Sequence, residues 1–291
     1  MTLGLDFVLF QHPASSIQYN PSTHLQKKNI HHIIHMQPKT IFITGAASGI
    51  GAATARKFHA QGWFVGLYDL NPAPLAELQR SLGTENSCFM ALDVRDREAV
   101  AAAMDHFGAH SGGRMNLLFN CAGIIGIGPF EDLRLEDHLR TAEVNFQGVL
   151  NCTFLAFPLL KATPGARVVS MSSASARYGT PDFASYSASK FAVRGLTEAL
   201  NIEWRRHGIV VSDIMPPFVN TPMIQNGPAS KSFERMGIRL RPEQVAEVVW
   251  KAARGNKVHY PVGLQFKLLN ALSAVSPDWL TRRVMRWIGG Y

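Results

Sequence analysis

Thr40-Ile41-Phe42-Ile43-Thr44-Gly45-Ala46-Ala47-Ser48-Gly49-Ile50-Gly51 runs a short apolar segment straight into a glycine-rich turn, and the residues that follow, to Ala60, carry a helical pattern. Glycines at a strand-to-helix turn let the backbone come close to a ligand, and the new helix offers free N–H groups and a partial positive charge to an anion. The spacing is Gly-x-x-x-Gly-x-Gly rather than the commoner Gly-x-Gly-x-x-Gly. The strand-turn-helix context points to a pyrophosphate, so Gly45, Ser48, Gly49, Ile50 and Gly51 are candidate cofactor contacts.

Downstream, apolar runs and helical stretches alternate. Trp63–Asp69 precedes a helix near Pro74–Ser81, Cys88–Val94 precedes Arg97–Phe107, and Asn116–Asn120 precedes a long helix near Leu135–Lys161. Ala166–Ser172, a helix over Phe183–Arg206 and Ile209–Pro216 continue the series. Parallel strands need crossovers that cover the sheet, so this order predicts an α/β fold, a doubly wound parallel sheet of Rossmann type in a single domain. Ligands of such sheets bind at the strand carboxyl ends.

A chain of 291 residues with 46% hydrophobic and 17% charged content can bury one large core. We divide it into a poorly ordered extension over 1–37, a dinucleotide-binding catalytic domain over 38–262 and a basic amphipathic tail over 263–291. The extension holds His12, His24, His31, His32 and His35 without a sustained period, and Met36 is an alternative start. Cys88, Cys121 and Cys152 show no CxxC spacing, so neither a disulfide framework nor a metal site is expected, and a reducing, cytoplasmic setting is. Leu3–Phe10 contains Asp6 and lacks a basic flank, unlike a secretory signal, and no stretch approaches the roughly 20 apolar residues of a membrane span.

The net charge of +8 is concentrated near the end: from Lys231 onward eleven Lys/Arg face four Asp/Glu. Neither a nucleic-acid module nor interleaved stacking aromatics accompany them, so no nucleic-acid partner is expected. In the tail, Leu268, Leu272 and Val275 can share a helix face, as can Leu280, Val284, Trp287 and Ile288 beside Arg282, Arg283 and Arg286. Docking on its own domain or on a neighbouring subunit is the preferred reading, and peripheral membrane contact is the alternative.

Asp69 ends the second strand. A carboxylate there can accept hydrogen bonds from both ribose hydroxyls and would repel a 2′-phosphate, which favours NAD over NADP; capping the next turn is its duller alternative. Tyr186-Ser187-Ala188-Ser189-Lys190 sets a phenol and an ammonium four apart on one helix face, where the cation is expected to lower the phenol's pKa toward working pH.

These features in this order resemble the short-chain dehydrogenase/reductase family, non-extended type. The likeness spans roughly Thr40 to Met223 and rests on TGAASGIG, Asp93-Val94, Asn120-Cys121-Ala122-Gly123, Asn145, the serine-rich strand end, YSASK and PPFVNT. It implies that Tyr186 is the acid/base, that Lys190 holds the nicotinamide ribose and tunes the phenol, and that Ser173 (Ser172 if the register slips) hydrogen-bonds the substrate oxygen. Asn145 would help hold a water in the proton relay. Asp93 and Val94 would meet adenine, Asn120, Ala122 and Gly123 would lie along the cofactor, and Val219 with Thr221 would bind the carboxamide. Cys121 replaces the family's usual second asparagine, and Pro217 stands where glycine is usual, which stiffens the loop carrying Thr221.

The reaction implied is hydride transfer between a nicotinamide cofactor and a secondary alcohol or ketone, without a metal. The segment Pro222–Arg241 should cover a lipophilic or anionic substrate, since it mixes Met223, Ile224, Phe233 and Met236 with Lys231, Arg235, Arg239 and Arg241. Apolar helix faces around Asn145 and Tyr186 favour a homo-oligomer. The alternatives are an NADPH-dependent carbonyl reductase and a non-catalytic dinucleotide-binding sensor or scaffold.

Overall fold

The computed structural model describes residues 37–238, 240–273 and 276–291. The extension over 1–37, except Gln37, and Val275 of the tail lie outside them.

The alternation read from the sequence is present. The elements are β1 (Thr40–Thr44), α1 (Gly49–His59), β2 (Phe64–Asp69), α2 (Pro72–Leu82), β3 (Ser87–Ala91), α3 (Arg97–Ser111) and β4 (Leu117–Asn120). Then follow α4 (Leu135–Ala142), α5 (Gly148–Lys161), β5 (Arg167–Met171), α6 (Ala184–Glu203) and β6 (Val210–Met215). The chain closes with α7 (Pro222–Gln225), α8 (Lys231–Met236), α9 (Pro242–Ala252), β7 (His259–Pro261), α10 (Leu264–Ser273) and α11 (Asp278–Gly289). All strands pair in parallel in the order β3-β2-β1-β4-β5-β6-β7.

Period-two alternation gives this sheet two cores. Ile41, Ile43, Val65, Leu67, Leu117 and Phe119 face one side and pack with Ala55 and Phe58 of α1 and Val245 and Val249 of α9. Phe42, Phe64, Tyr68, Leu118 and Val168 face the other, under Phe107 of α3 and Cys152, Ala156 and Leu160 of α5. Strands buried on both faces explain why the runs read as continuously apolar.

The strand order reverses between β1 and β4, where an open α/β sheet leaves a crevice. The register aligns the strand ends, with Thr44 opposite Tyr68, Asn120 opposite Ser170 and Met171 opposite Ile214. The loops beginning at Gly45, Leu70, Cys121, Ser172 and Pro216 therefore open onto one edge of the sheet.

The long helix near Leu135–Lys161 contains an interruption that periodicity did not reveal: Glu143–Gln147 winds as a π-helix between α4 and α5. Its centre is Asn145, fully buried, whose side chain clasps the Ile124 peptide from both sides. A π segment inserts one extra residue per turn and is often found at functional sites.

Candidate active site

The glycine turn is held by packing that no side chain could share. Gly45 lies at φ +68, and a Cβ on it would stand 2.8 Å from the Ala122 backbone; a Cβ on Gly51 would run into the Gly45 carbonyl. Thr44 ties the turn to the next strand end by accepting from the backbone N–H of Cys121 (3.0 Å) and Ala122 (3.1 Å). Ser48, the residue before α1, makes no capping bond, and the first turn carries no acidic residue. The uncapped N–H groups and dipole of α1 therefore face the crevice, which suits an anion.

A cavity of about 720 Å³ follows the strand ends, within the size range of ligand sites. Gly45, Ser48, Gly49, Ile50, Gly51, Asp69, Asp93, Val94, Ala122, Gly123, Ser173, Tyr186, Lys190, Val219 and Thr221 all line it, as does Ser172. Two of the sequence-derived candidates stand behind its wall. Asn120 is buried with its amide donating to Thr153 Oγ1 and Ser170 Oγ, both at 3.1 Å, so it braces β4 and α5. Asn145 accepts from Ile124 N (2.8 Å) and donates to the Ile124 carbonyl (2.9 Å) and to Ser189 Oγ (3.1 Å). Ser189 in turn donates to the Tyr186 carbonyl at 2.7 Å, which links the π segment to the helix turn carrying the phenol.

Asp69 reaches back to the glycine turn: one carboxylate oxygen accepts from Ala47 N at 3.0 Å and the other from Asn71 N at 3.3 Å. Both sequence readings of this residue meet here, since it caps its own turn and lines the cavity. Asp93 is gripped by Arg95 through its Nε and Nη2 groups, and those hydrogen bonds hold its carboxyl below the usual range.

At the other end, burial raises the Tyr186 phenol above its ordinary value, opposed by a hydrogen bond with Ser173. This corrects the expectation of a lowered phenol. The Lys190 ammonium, 5.4 Å from the ring centroid, is itself pushed down to about 8 by burial and donates to the Met171 carbonyl at 2.8 Å. Ser173 also accepts from Ser175 N at 3.1 Å, whereas Ser172 donates to the Lys190 carbonyl at 3.3 Å. Cys121, which replaces the family's usual second asparagine, lines the cavity, its pKa raised by burial to about 12.

The loop after β6 closes the site. Asn220 N donates to the Leu240 carbonyl (2.8 Å), and the Thr221 methyl packs against Gly49, joining the far loop to the glycine turn. Met223, Ile224, Asn226, Gly227 and Pro228 complete the wall, but Lys231 and Arg235 do not line it. Arg235 stacks over Trp287 of α11 at 5.1 Å and the Lys231 side chain lies against Gly290, so these cations dock the C-terminal helix instead of facing a substrate. Arg239 lies outside the described residues.

The sequence reading missed Asp182, a non-glycine residue at φ +67. Its carboxylate accepts from Ser230 Oγ (3.2 Å) and from the Tyr291 hydroxyl (2.7 Å), and its carbonyl accepts from Gly128 N (2.9 Å). Three segments distant in sequence meet there, and only its neighbour Pro181 hinted at a turn. Arg95 and Arg140, at the Asp93 end, were missed as well.

Residues 39–231 match the family model described as short chain dehydrogenase. The D-threitol dehydrogenase of Mycolicibacterium smegmatis is 32% identical over 77% of this chain and 89% of its own. The meso-2,3-butanediol dehydrogenase of Serratia marcescens is 33% identical over 72% and 85%. A short chain dehydrogenase/reductase from Burkholderia phymatum, solved in complex with NAD, superposes with a TM-score of 0.73 at 25% identity, covering 81% of this chain and 92% of its own. With the family model, the two relatives and the fold in agreement, the chain belongs to the short-chain dehydrogenase/reductase family and is an oxidoreductase acting on CH–OH groups.

Proposed function

We propose that the chain is an NAD-dependent dehydrogenase that oxidises a lipophilic secondary alcohol to its ketone. The observation that carries this reading is that Tyr186, Ser173 and Lys190 meet in one cavity whose other end holds the glycine turn and Asp69. The uncapped α1 terminus suits a pyrophosphate, and the Asp69 carboxylate at the end of β2 suits two ribose hydroxyls and disfavours a 2′-phosphate. When bound, the nicotinamide ring supplies the hydride acceptor.

Tyr186 takes the hydroxyl proton as hydride leaves the carbinol carbon, while Ser173 donates to the same oxygen and holds it against the phenol. Tyr186 and Lys190 favour each other's charged forms. A phenolate raises the hold of Lys190 on its proton, and the ammonium lowers the cost of the phenolate, so the pair offsets the burial that penalises each alone. Asn145 is a positioning residue here: through Ile124 and Ser189 it fixes the cavity wall and the turn bearing Tyr186. Asp93, Val94, Ala122, Gly123, Val219 and Thr221 contact the cofactor, with Asn120 supporting the strand end from behind.

Ile124, Ile125, Ile127, Phe218, Met223 and Ile224 make the substrate end apolar, which favours a lipophilic alcohol over the polyol and diol named for the relatives. Exposed Phe154 on α5 and Ile202 on α6 support a homo-oligomer. Among the described residues no helix is long and apolar enough to cross a membrane. The α11 contact with α8 supports the tail's docking on its own domain, while the exposed row Leu264, Leu268 and Leu272 on α10 supports a peripheral membrane contact. The three free cysteines fit a cytoplasmic setting.

The test is NADH formation from NAD and a panel of secondary alcohols, with NADP in parallel. Tyr186→Phe should lower turnover by about 10²–10⁴-fold, the usual contribution of a positioned acid/base, with NAD binding retained. Near-normal turnover in that variant would sink the mechanism. Preference for NADPH and ketones would favour a carbonyl reductase, and NAD binding without any turnover would favour a sensor.

A further inference from the structure

On the face of the sheet that bears α3, at the edge formed by β3, a second cluster of reactive side chains has no part in the cleft chemistry. His106 and His110 stand one turn apart on α3, the spacing that puts two imidazoles on one helix face. Cys88 lies on β3 beneath them, opposite Gly66 in the register. One donor atom from each of the three falls within 4.8 Å of the other two, the one such trio of His, Cys or carboxylate groups among the described residues. The linear spacing of the cysteines hides this site, because the third donor arrives from a neighbouring strand.

We propose that Cys88, His106 and His110 bind a borderline-soft divalent cation, zinc by preference, that fastens the edge strand β3 to the helix covering it. A thiolate and two imidazoles are the donor set that selects zinc over magnesium or calcium. With zinc–sulfur and zinc–nitrogen bonds of about 2.3 and 2.1 Å, tetrahedral donors stand about 3.4–3.6 Å apart. The trio therefore needs a contraction of about 1 Å, which the exposed His110 can supply by a rotamer change.

The surroundings prepare the ligands. The His110 Nδ1 sits 2.8 Å from the His106 carbonyl, and the two rings lie with centroids 4.4 Å apart. The buried Tyr68 hydroxyl lies 3.0 Å from His106 Nδ1 and 3.8 Å from Cys88 Sγ, a partner of the kind that orients metal ligands from behind.

Cobalt(II) is the probe, titrated into the full-length protein and followed by its thiolate charge-transfer absorption, with zinc as competitor. That band needs a sulfur ligand, so cobalt held only by the histidines ahead of Gln37 stays silent in it. One equivalent should develop the band, release a proton and be displaced by zinc. Cys88→Ser should abolish it, Cys121→Ser should leave it intact, and the exposed-site variant His110→Ala, which leaves the core untouched, should weaken cobalt binding more than 100-fold. Loss of Tyr68 as a partner should cost about 10-fold. Absence of the band in the wild type, or its persistence in folded His110→Ala or Cys88→Ser, overturns the site.

Discussion

The two ends of the cleft are built on opposite principles. At the Asp69–Asp93 end both carboxylates already have partners: Asp69 holds Ala47 N and Asn71 N, and Asp93 is clasped by Arg95. At the Tyr186 end a phenol and an ammonium are buried side by side, the ammonium satisfied by a main-chain carbonyl, and burial presses both toward their neutral forms. One end is finished in shape before anything binds. The other holds an electrostatic cost that charge development in a reaction can relieve.

The largest measurable consequence of that contrast is a pH dependence of folding. Lys190 titrates at about 8 in the folded chain against about 10.4 for an unfolded lysine, so between those values the unfolded state binds more protons and stability rises with pH. Below pH 8 the folded protein carries the full cost of the buried cation. Wild type should therefore gain on the order of 2–3 kcal/mol from pH 7.5 to 10.5 relative to Lys190→Met, read from urea unfolding of both without ligand. Comparison with the variant cancels the buried Tyr68, whose raised value acts in the opposite direction, whereas Tyr186 is coupled to Lys190 and is part of the difference measured. A constant difference between the two proteins would mean that the catalytic end carries no such cost.

The contrast also explains what could be read from the sequence. Gly45, Gly49 and Gly51 are legible because a strand-to-helix turn demands them locally, and the Tyr186/Lys190 pair because one helix carries both. Raised Tyr186 and lowered Lys190 were not legible, since burial is a property of the assembled fold. The same holds for the π segment at Asn145, which depends on the Ile124 peptide 21 residues away, and for Asp182, which joins three remote segments. β7 left no mark as a strand because it is three half-buried residues, while the charges of Lys231 and Arg235 misled because a charge pattern does not say what it faces.

At the finished end, Asp69→Ala removes both the carboxylate offered to the ribose and the bond to Ala47 N. The ratio of NAD to NADP efficiency should fall by about 10–100-fold, the effect of a charge–phosphate repulsion and one charged hydrogen bond together, about 1.4–2.8 kcal/mol. Steady-state kinetics with both cofactors would show it. An unchanged ratio would assign Asp69 to the turn alone and leave the binding end without its selectivity.

The smallest effect tests whether the substrate wall belongs to the rigid end or to a third, adjustable region. Tyr291 donates to the Asp182 carboxylate, which also holds Ser230 ahead of α8, while the Asp182 carbonyl holds Gly128 beside the cavity residue Ile127, so Tyr291 reaches the substrate wall through a single residue. The bond is exposed, which limits it to roughly 0.5–1 kcal/mol. Tyr291→Phe keeps the ring and removes only the donor. If the lid is held partly by this latch, KM for the alcohol should rise about 2–5-fold while kcat and the Kd for NAD stay within error, because neither Tyr186 nor the glycine turn is touched. A fall in kcat instead would mean that Asp182 transmits to the phenol through α6, and no change at all would leave Ser230 and the packing of α11 on α8 sufficient to hold the wall.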